Sequence, residues 1–249
     1  MHFVVNTNSI CGIFNFFVKK NDSFSFNNSK LLISSLKNEF LIDFDSDNYQ
    51  INEKYSEEGR ISNNKAMNFV TSKTKFVLGG SADLSSSTKT IVNKSGFMSS
   101  ICPLDRNIAF GVREHAMGAI LNGMALTNLR VFGSTFLSFS DYMKPAIRMS
   151  ALMNLPVTYI YTHDSVYVGQ DGPTHEPIEQ LTMLRSIPNL TVIRPADIKE
   201  IIGSWEYIVK NNGPVALVLN KENTQTLKHT NGKYVKYGAY IVRKEKERL

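Results

Sequence analysis

Short apolar runs recur along the chain from about residue 60, and segments with helical spacing of their apolar residues separate most of them. Short runs of this kind are typical of strands that are buried on both faces. Strands that alternate with helices build a parallel sheet. We therefore predict an α/β fold with a doubly wound parallel sheet. The expected strands are residues 76–78, 108–110, 131–132, 157–160, 191–193 and 215–219.

Three intervening segments have clear helical periodicity, and they cover residues 113–128, 176–186 and 197–210. Apolar side chains that recur three or four positions apart share one face of a helix and are expected to face the core. Asp197 is a candidate N-cap of the third helix. The periodic side chains are Ala116, Ile120, Leu121 and Met124 in the first segment, and Ile178, Leu181 and Leu184 in the second.

A fourth segment, residues 138–154, has helical composition but contains Pro145. Proline removes a backbone hydrogen bond and clashes with the preceding helical turn. Two arrangements are compatible with this sequence. Either the helix is kinked at Pro145, or its regular part begins near Lys144.

The composition and the apolar pattern of the sequence divide the chain into three parts. Residues 1–58 are rich in Asn, Ser, Phe and acidic residues, and we expect an atypical, partly disordered extension or linker with one helix at 29–40. Residues 59–230 hold the regular strand and helix pattern and are the expected folded domain. Residues 231–249 are the expected remnant of a linker.

Composition limits the classes of function. The chain has 249 residues, 42% of them hydrophobic, and a net charge of +6 that is dispersed rather than gathered on one basic segment. We therefore expect no nucleic-acid binding, and no segment is long and apolar enough to suit a membrane. Cys11 and Cys102 are far apart and lack metal-ligand spacing. Free thiols of this kind, without a signal peptide, predict a cytoplasmic protein.

Residues 161–175 are the densest concentration of reactive side chains in the chain. They follow an apolar run directly, and they contain His163, Asp171 and His175 among glycine and proline residues. In open α/β sheets, ligands bind beyond the carboxyl ends of the strands. A lone histidine is more often structural, but two of them in one such loop predict a ligand site.

This loop has the sequence THDSVYVGQDGPTHEP at residues 162–177, and it closely resembles the THDS and DGPTH-x-P motifs of transketolases. Those enzymes move two-carbon ketol units between sugar phosphates with thiamine diphosphate. Related thiamine enzymes share the expected fold but lack the combination of the GGSADL and DGPTH-x-P motifs. The resemblance extends over about residues 60–223 and implies the pyrimidine-binding domain of thiamine-diphosphate enzymes. The other matching segments are GGSADL at 79–84, GVREHAMG at 111–118, FLSFSDY at 136–142 and NKEN at 220–223.

The resemblance implies which residues hold the cofactor. Glu114 corresponds to the glutamate that binds N1′ of the aminopyrimidine ring and takes part in catalysis, although a carboxylate at a helix start can also be a simple capping residue. Phe136, Phe139 and Tyr142 correspond to aromatic residues against that ring, although such a stripe is commonly core. Asp83 lies in the GGSADL segment, which the resemblance makes a turn that lines the cofactor.

The resemblance also implies the substrate-binding residues. Those for the sugar phosphate are Arg60, Ser87, His163 and Lys221, and for Arg60 a solvated position at a helix start is the alternative. Asp171 is expected near a sugar hydroxyl, and His175 beside the reacting carbonyl, where it acts in catalysis. Lys221 replaces the usual arginine and loses its bidentate geometry. Gln170 and Tyr167 stand where the family usually has glutamate and glycine.

Transketolases bind Mg²⁺ and the diphosphate with a separate domain that carries a GDG…N motif. This sequence contains no such motif. The resemblance therefore implies that no residue of this chain binds a metal, and that Mg²⁺ is bound only by a diphosphate-binding domain. We expect another chain to supply that domain, or a homo-oligomer to complete the site. The alternative is an inactive transketolase fragment or a non-catalytic thiamine-site domain. Both predict little ketol transfer by the isolated chain.

Overall fold

The computed structural model describes residues 55–243, and a six-stranded parallel sheet lies at its centre. The spatial order of its strands is β3-β2-β4-β5-β7-β6. A separate pair of short antiparallel strands, β1 and β8, joins residues 56–58 to residues 223–225. In chain order the strands are β1 Ser56–Glu58, β2 Val77–Ser81, β3 Asn107–Ala109, β4 Arg130–Phe136, β5 Val157–Thr162, β6 Thr191–Ile193, β7 Val215–Val218 and β8 Asn223–Gln225.

Helices cover both faces of the sheet, so the predicted doubly wound α/β fold is confirmed. On one face, Met67 and Trp205 pack against Phe132 and Ile160 of the sheet. On the other face, Leu121 and Ile147 belong to a second core. The helices are α1 Gly59–Lys73, α2 Ser85–Thr88, α3 Glu114–Ala125, α4 Lys144–Leu152, α5 Gln180–Arg185 and α6 Ile198–Lys210, and 3-10 helices cover Leu137–Met143, Val166–Val168 and Gly232–Tyr237.

All six predicted strands of the main sheet are present, with ends shifted by a few residues. The largest shift concerns β2, because Gly79 and Gly80 lie inside this strand rather than in a turn after it. A Cβ atom on Gly79 would stand 1.9 Å from the carbonyl oxygen of Phe132, and one on Gly80 would stand 1.8 Å from that of Ile108. The glycines therefore permit close approach of neighbouring strands. The prediction of a glycine turn here was wrong.

Two helix predictions need correction. The core face of α3 is formed by Met117 and Leu121, while Ile120 is half exposed, so Ala116 and Ile120 do not mark the buried stripe. Helix α5 begins at Gln180, four residues after the predicted start at Glu176, and Ile178 is exposed. Pro177 follows Glu176 directly, and a residue before proline is disfavoured in helical conformation.

The segment around Pro145 follows the second of the two predicted arrangements. A 3-10 helix spans Leu137–Met143, and the regular helix α4 begins at Lys144 with Pro145 in its first turn. Proline is tolerated there because the first backbone N–H groups of a helix have no partner within it. The predicted cap of α6 is confirmed as well, since the Asp197 carboxylate accepts hydrogen bonds from Lys199 N and Glu200 N.

Residues 232–240 pack against α6, where Gly203 abuts Gly232 and the Tyr240 hydroxyl donates to Glu200. The division of the chain at residues 58 and 230 stays a prediction. The helix proposed for residues 29–40 lies outside the described residues, as does Cys11, whereas Cys102 is an exposed free thiol. Within residues 55–243, no helix has both the length and the apolar character needed to cross a membrane.

Candidate functional site

The carboxyl ends of all strands in the main sheet meet at one edge, because the strands are parallel. Every predicted site residue except Arg60 follows one of these ends or the loop beyond it. Such an edge is where ligands bind in open α/β sheets. The residues that follow the strand ends are Asp83 and Ser87 after β2, Glu114 after β3, Phe136, Phe139 and Tyr142 at the end of β4, His163, Asp171 and His175 after β5, and Lys221 after β7.

Glu114 is the first residue of α3, and it is 9% exposed. Gly118 and Asn122 follow it at one-turn intervals on the same face of the helix. This face packs on α4, since a Cβ atom on Gly118 would lie 2.7 Å from Ala146 Cβ and the Asn122 amide donates to the Ala146 carbonyl at 2.9 Å. Within residues 55–243, no side chain pairs with the Glu114 carboxylate.

Phe136, Phe139 and Tyr142 form an aromatic stripe, by which we mean these three residues throughout. They recur at every third position, and a 3-10 helix has three residues per turn, so their side chains align. Ring centroids are 5.7 Å apart between the two phenylalanines and 6.1 Å apart between Phe139 and Tyr142. Phe136 is buried, whereas Tyr142 is 64% exposed. The stripe therefore runs from the core out to the sheet edge.

Both predicted site histidines contact this stripe. The imidazole of His163 lies 3.8 Å from the Phe136 ring, centroid to centroid, and His175 lies 5.1 Å from Phe139. His163 occupies left-handed backbone conformation with φ of +59°. Strained conformations of non-glycine residues are found preferentially at functional sites. The strand end of β5 thus holds two imidazoles against one aromatic surface.

Charged side chains surround His163. Burial, together with the positive charges of Arg60 and Lys221, lowers the pKa of His163 to about 4. Asp171 acts in the opposite direction, and His175 adds to the lowering. A histidine with this pKa is neutral at physiological pH. The structure therefore brings Arg60, His163, Asp171, His175 and Lys221 together, although they are distant in sequence.

Arg60 is bound on two sides. Its Nε donates to Glu58 at 2.5 Å, and its Nη1 donates to the carbonyl oxygen of Ser87 at 2.7 Å. Asn220, just before Lys221, accepts a hydrogen bond from the Gly59 backbone N–H at 3.0 Å. These contacts hold the start of α1 between the ends of β2 and β7. The Arg60 side chain is thus held by hydrogen bonds rather than solvated at the helix start, and its role toward a phosphate stays a prediction.

Lys221 and Asp171 form an ion pair, with 3.5 Å between Nζ and Oδ2. Both side chains are about one-third exposed, so solvent screens the pair and its own contribution to stability is small. Gln170 and Tyr167, the two other departures from the family pattern in this loop, are both exposed. The ion pair connects the loop after β5 to the end of β7.

Two features of this edge were missed by sequence reasoning. Arg194, after β6, donates to the buried carboxylate of Asp164 at 2.7 Å and fixes the backbone next to His163. Thr162 lies 2.8 Å from the ring of His163, from Oγ1 to Nδ1. The repeated Thr-His dipeptide at 162–163 and 174–175 was the available signal for the second feature.

The residues present fit a pyrimidine ring better than a metal ion. The aromatic stripe offers stacking surface, and the unpaired Glu114 carboxylate is a hydrogen-bond acceptor at the start of α3. Asp83 is exposed, with φ of +64°, on the same edge. In contrast, residues 55–243 contain no group of three His, Cys, Asp or Glu side chains arranged to hold a metal.

Comparisons with known proteins agree with this arrangement. The family model for the transketolase pyrimidine-binding domain matches residues 60–226. The transketolase of Bacillus subtilis is 48% identical over 217 residues, which are 85% of this chain and 32% of that protein. The solved transketolase of Leishmania mexicana superposes with a TM-score of 0.82 and 32% identity, over 94% of this chain and 34% of that one.

A second solved structure is described as a split-gene transketolase in an inactive β4 tetramer. It matches 66% of this chain and 52% of its own, with a TM-score of 0.54 and 26% identity. The present chain spans about one-third of the length of the curated relatives it matches. The domain match and the identity over most of the chain lead to one conclusion: the chain belongs to the transketolase family.

Proposed function

We propose that this chain is a component of a transketolase, and that it contributes the half of the active site that holds the pyrimidine ring and the sugar phosphate. The observation that supports this most strongly is the group of side chains at one sheet edge. Phe136 and Phe139 lie in contact with the two imidazoles there, and the charges of Arg60 and Lys221 act on His163. Transketolases act on sugar phosphates with thiamine diphosphate, and these side chains suit both molecules.

For the cofactor, we assign Glu114 to hold a proton at N1′ of the aminopyrimidine. Its carboxylate is free of partners within residues 55–243, which leaves it available for this role. The aromatic stripe provides the surface for the ring, and Asp83 lines the same edge. When bound, thiamine diphosphate supplies the nucleophilic carbon that carries the two-carbon unit. The protein residues orient the ring and control the proton at N1′.

For the substrate, we assign Arg60, Ser87, His163 and Lys221 to the phosphate group. Arg60 and Lys221 supply positive charge, and His163 is neutral and offers an N–H donor. Asp171 is assigned to a sugar hydroxyl, since it lies 3.5 Å from Lys221 at the same edge of the sheet. His175, against Phe139, is assigned to the reacting carbonyl, where its ring moves or holds a proton.

The diphosphate and its Mg²⁺ need a different set of ligands, and we propose that a domain on another polypeptide chain supplies them. The 249 residues contain no GDG motif. The neighbour described as a split-gene transketolase supports assembly from more than one chain. A homo-oligomer is the other assembly that would bring two copies of this edge together. We place the assembled enzyme in the cytoplasm.

A second candidate function is a fragment of a transketolase without catalysis, or a domain that binds partners at a thiamine-type site. The departures at Lys221, Gln170 and Tyr167 favour it, because each changes a side chain in the substrate loop or at its edge. The two candidates differ in one outcome. Only a catalytic component gains activity when a diphosphate-binding domain is supplied.

The test is a mixing experiment with xylulose 5-phosphate, ribose 5-phosphate, thiamine diphosphate and Mg²⁺. The purified chain alone is expected to show no measurable ketol transfer, since a pyrimidine ring alone offers limited burial to offset the entropy lost on binding. Adding a chain that carries the diphosphate-binding domain is expected to restore transfer. Each chain alone and the heat-denatured chain mixed with its partner are the controls. Robust turnover by the isolated chain, or none by any mixture, would contradict the proposal.

A further inference from the structure

Each of the two site histidines is preceded by a threonine whose hydroxyl contacts its ring. The distance from Oγ1 to Nδ1 is 2.8 Å for Thr162 and His163, and it is also 2.8 Å for Thr174 and His175. The two pairs differ in burial. Thr162 is fully buried at the end of β5, whereas Thr174 is exposed. Water can therefore satisfy Thr174 in other ways, but the protein alone must satisfy Thr162.

Burial determines which atom donates the hydrogen bond at Thr162. Within residues 55–243, Nδ1 of His163 is the partner of the Thr162 hydroxyl, and the structure shows no second one. If Nδ1 donated, the hydroxyl proton of Thr162 would be buried without an acceptor, which is costly. If the hydroxyl donates, its buried proton has a partner, and Nε2 of His163 is not among the fully buried atoms that lack one. The neutral ring then carries its own proton on Nε2.

The remaining surroundings of His163 leave Nε2 as its functional atom. The ring of Phe136 lies against the imidazole, 3.8 Å away between centroids, and Thr162 occupies the Nδ1 side. No residue between 55 and 243 forms a hydrogen bond to Nε2. Arg60, Lys221, Asp171 and His175 act on this ring through space. Arg60 pairs with Glu58 and Lys221 with Asp171, and the remaining N–H groups of these two cations are hydrogen-bond donors that suit an anion.

We propose that Thr162 is a positioning residue, whose hydroxyl donates to Nδ1 of His163 and so presents Nε2–H as a neutral donor to a phosphate group. The part that concerns phosphate rests on the proposed function, whereas the part that concerns the ring does not. A neutral donor is useful here because Arg60 and Lys221 already supply charge. A third cation would be repelled by them, but an N–H group adds a directed hydrogen bond at no such cost.

The ring assignment is tested by ¹⁵N spectra of the full chain with labelled histidine, near pH 7.5. The chain has five histidines, and His163→Gln identifies the signals of this ring. We expect a protonated Nε2 and an unprotonated, hydrogen-bonded Nδ1. In Thr162→Val the Nδ1 signal should move to the position of a nitrogen without a hydrogen bond. Thr162→Ser, which keeps the hydroxyl, should leave it in place.

Thr135→Val is the matched control. Thr135 is also fully buried, it precedes the residue that pairs with Thr162 across the sheet, and its hydroxyl has no partner within residues 55–243. This variant should leave the His163 signals unchanged. A ring protonated on Nδ1 in the unmodified protein would overturn the proposal. An Nδ1 signal that does not move in Thr162→Val would also overturn the proposal. So would an Nδ1 signal that moves as far in Thr135→Val as in Thr162→Val.

The phosphate part is tested by kinetics of the reconstituted enzyme. Thr162→Val is expected to raise KM for xylulose 5-phosphate about three- to tenfold with little change in kcat, because the lost contact lies away from the reacting carbonyl. Thr162→Ser should recover most of the affinity. An unchanged KM in Thr162→Val would overturn this part. If no mixture of chains shows transfer, the proposed function fails instead, and the spectra alone decide the role of Thr162.

Discussion

His163 combines three constraints: a left-handed backbone conformation, an aromatic ring against its own ring, and the charges of two cations. Burial and these cations lower its pKa to about 4. An unfolded chain takes up the histidine proton near pH 6.5, whereas the folded chain takes it up near pH 4. Between these values the unfolded state binds more protons, so the stability of the fold decreases as the pH falls.

We therefore predict that the free energy of unfolding falls between pH 6.5 and pH 4 more steeply in the unmodified chain than in His163→Gln. The difference is at most about 1.4 kcal/mol per pH unit, which corresponds to one proton. Denaturant unfolding at several pH values measures it. His229→Gln, which changes an exposed histidine, should keep the original slope. Equal slopes for the unmodified chain and His163→Gln would contradict the neutral state of His163.

Lys221 allows a test that separates binding from chemistry. Its ammonium group lies 3.5 Å from Asp171 and near His163, and the proposed phosphate site is away from the reacting bond. In the reconstituted enzyme, Lys221→Ala should raise KM for phosphorylated sugars at least about tenfold and leave kcat nearly unchanged. Lys221→Arg, which keeps the charge and adds a bidentate fork, should bind at least as well. A decrease in kcat without a change in KM would show that Lys221 does not act by binding the phosphate.

Among the elements, β2 has no room for side chains at Gly79 and Gly80. A Cβ atom on Gly80 would lie 1.8 Å from the carbonyl oxygen of Ile108, which belongs to the neighbouring strand. We predict that Gly80→Ala destabilises the chain by about 3 kcal/mol or more, because two strands must separate. Gly123→Ala is the control, since it adds a methyl group to helix α3 where no atom lies within 4 Å.

The control substitution should stabilise the chain by about 0.5–1 kcal/mol, because alanine favours a helix interior over glycine. Denaturant unfolding of both variants measures the contrast. Similar free energies of unfolding for Gly80→Ala and the unmodified chain would contradict the close approach of β2 and β3. The role of the glycines in the GGSADL segment would then be sought at the ligand instead.

The strand and helix order was predictable from the sequence because buried parallel strands are short apolar runs between periodic segments. The failures have local causes. Periodicity alone placed Ile120 on the core face of α3, but close packing through Gly118 and Asn122 turns a different face inward. The β1–β8 pair was missed because Ser56–Glu58 and Asn223–Gln225 are polar edge strands without apolar alternation.

The candidate site was predictable only in part for a related reason. Resemblance supplied the names of the site residues, but their mutual contacts join segments far apart in the chain. Arg60 reaches the carbonyl of Ser87, and both lie far in sequence from His163. The contact between Thr162 and His163 is local in sequence. Its effect on the His163 ring depends on the burial of Thr162, which the sequence alone does not reveal. Burial and long-range contacts decide the chemistry here.

At the scale of the whole molecule, we propose that the sheet edge binds a pyrimidine ring and a phosphate, and that the diphosphate domain of another chain faces this edge. This division assigns each part of the reaction to one side of an interface. Glu114 is then the residue of this chain on which the chemistry depends most. Its carboxylate is buried, has no partner within residues 55–243, and lies at the start of α3.

The most direct measurement is hydrogen–deuterium exchange at C2 of thiamine diphosphate in the reconstituted enzyme. Glu114→Gln keeps the size of the side chain and one hydrogen bond but cannot share a proton. We predict that this variant exchanges the C2 proton at least about 100-fold more slowly than the unmodified enzyme, which is a typical contribution of general acid–base catalysis. Exchange at the unmodified rate would contradict the assignment of Glu114 and, with it, the proposed division of the active site.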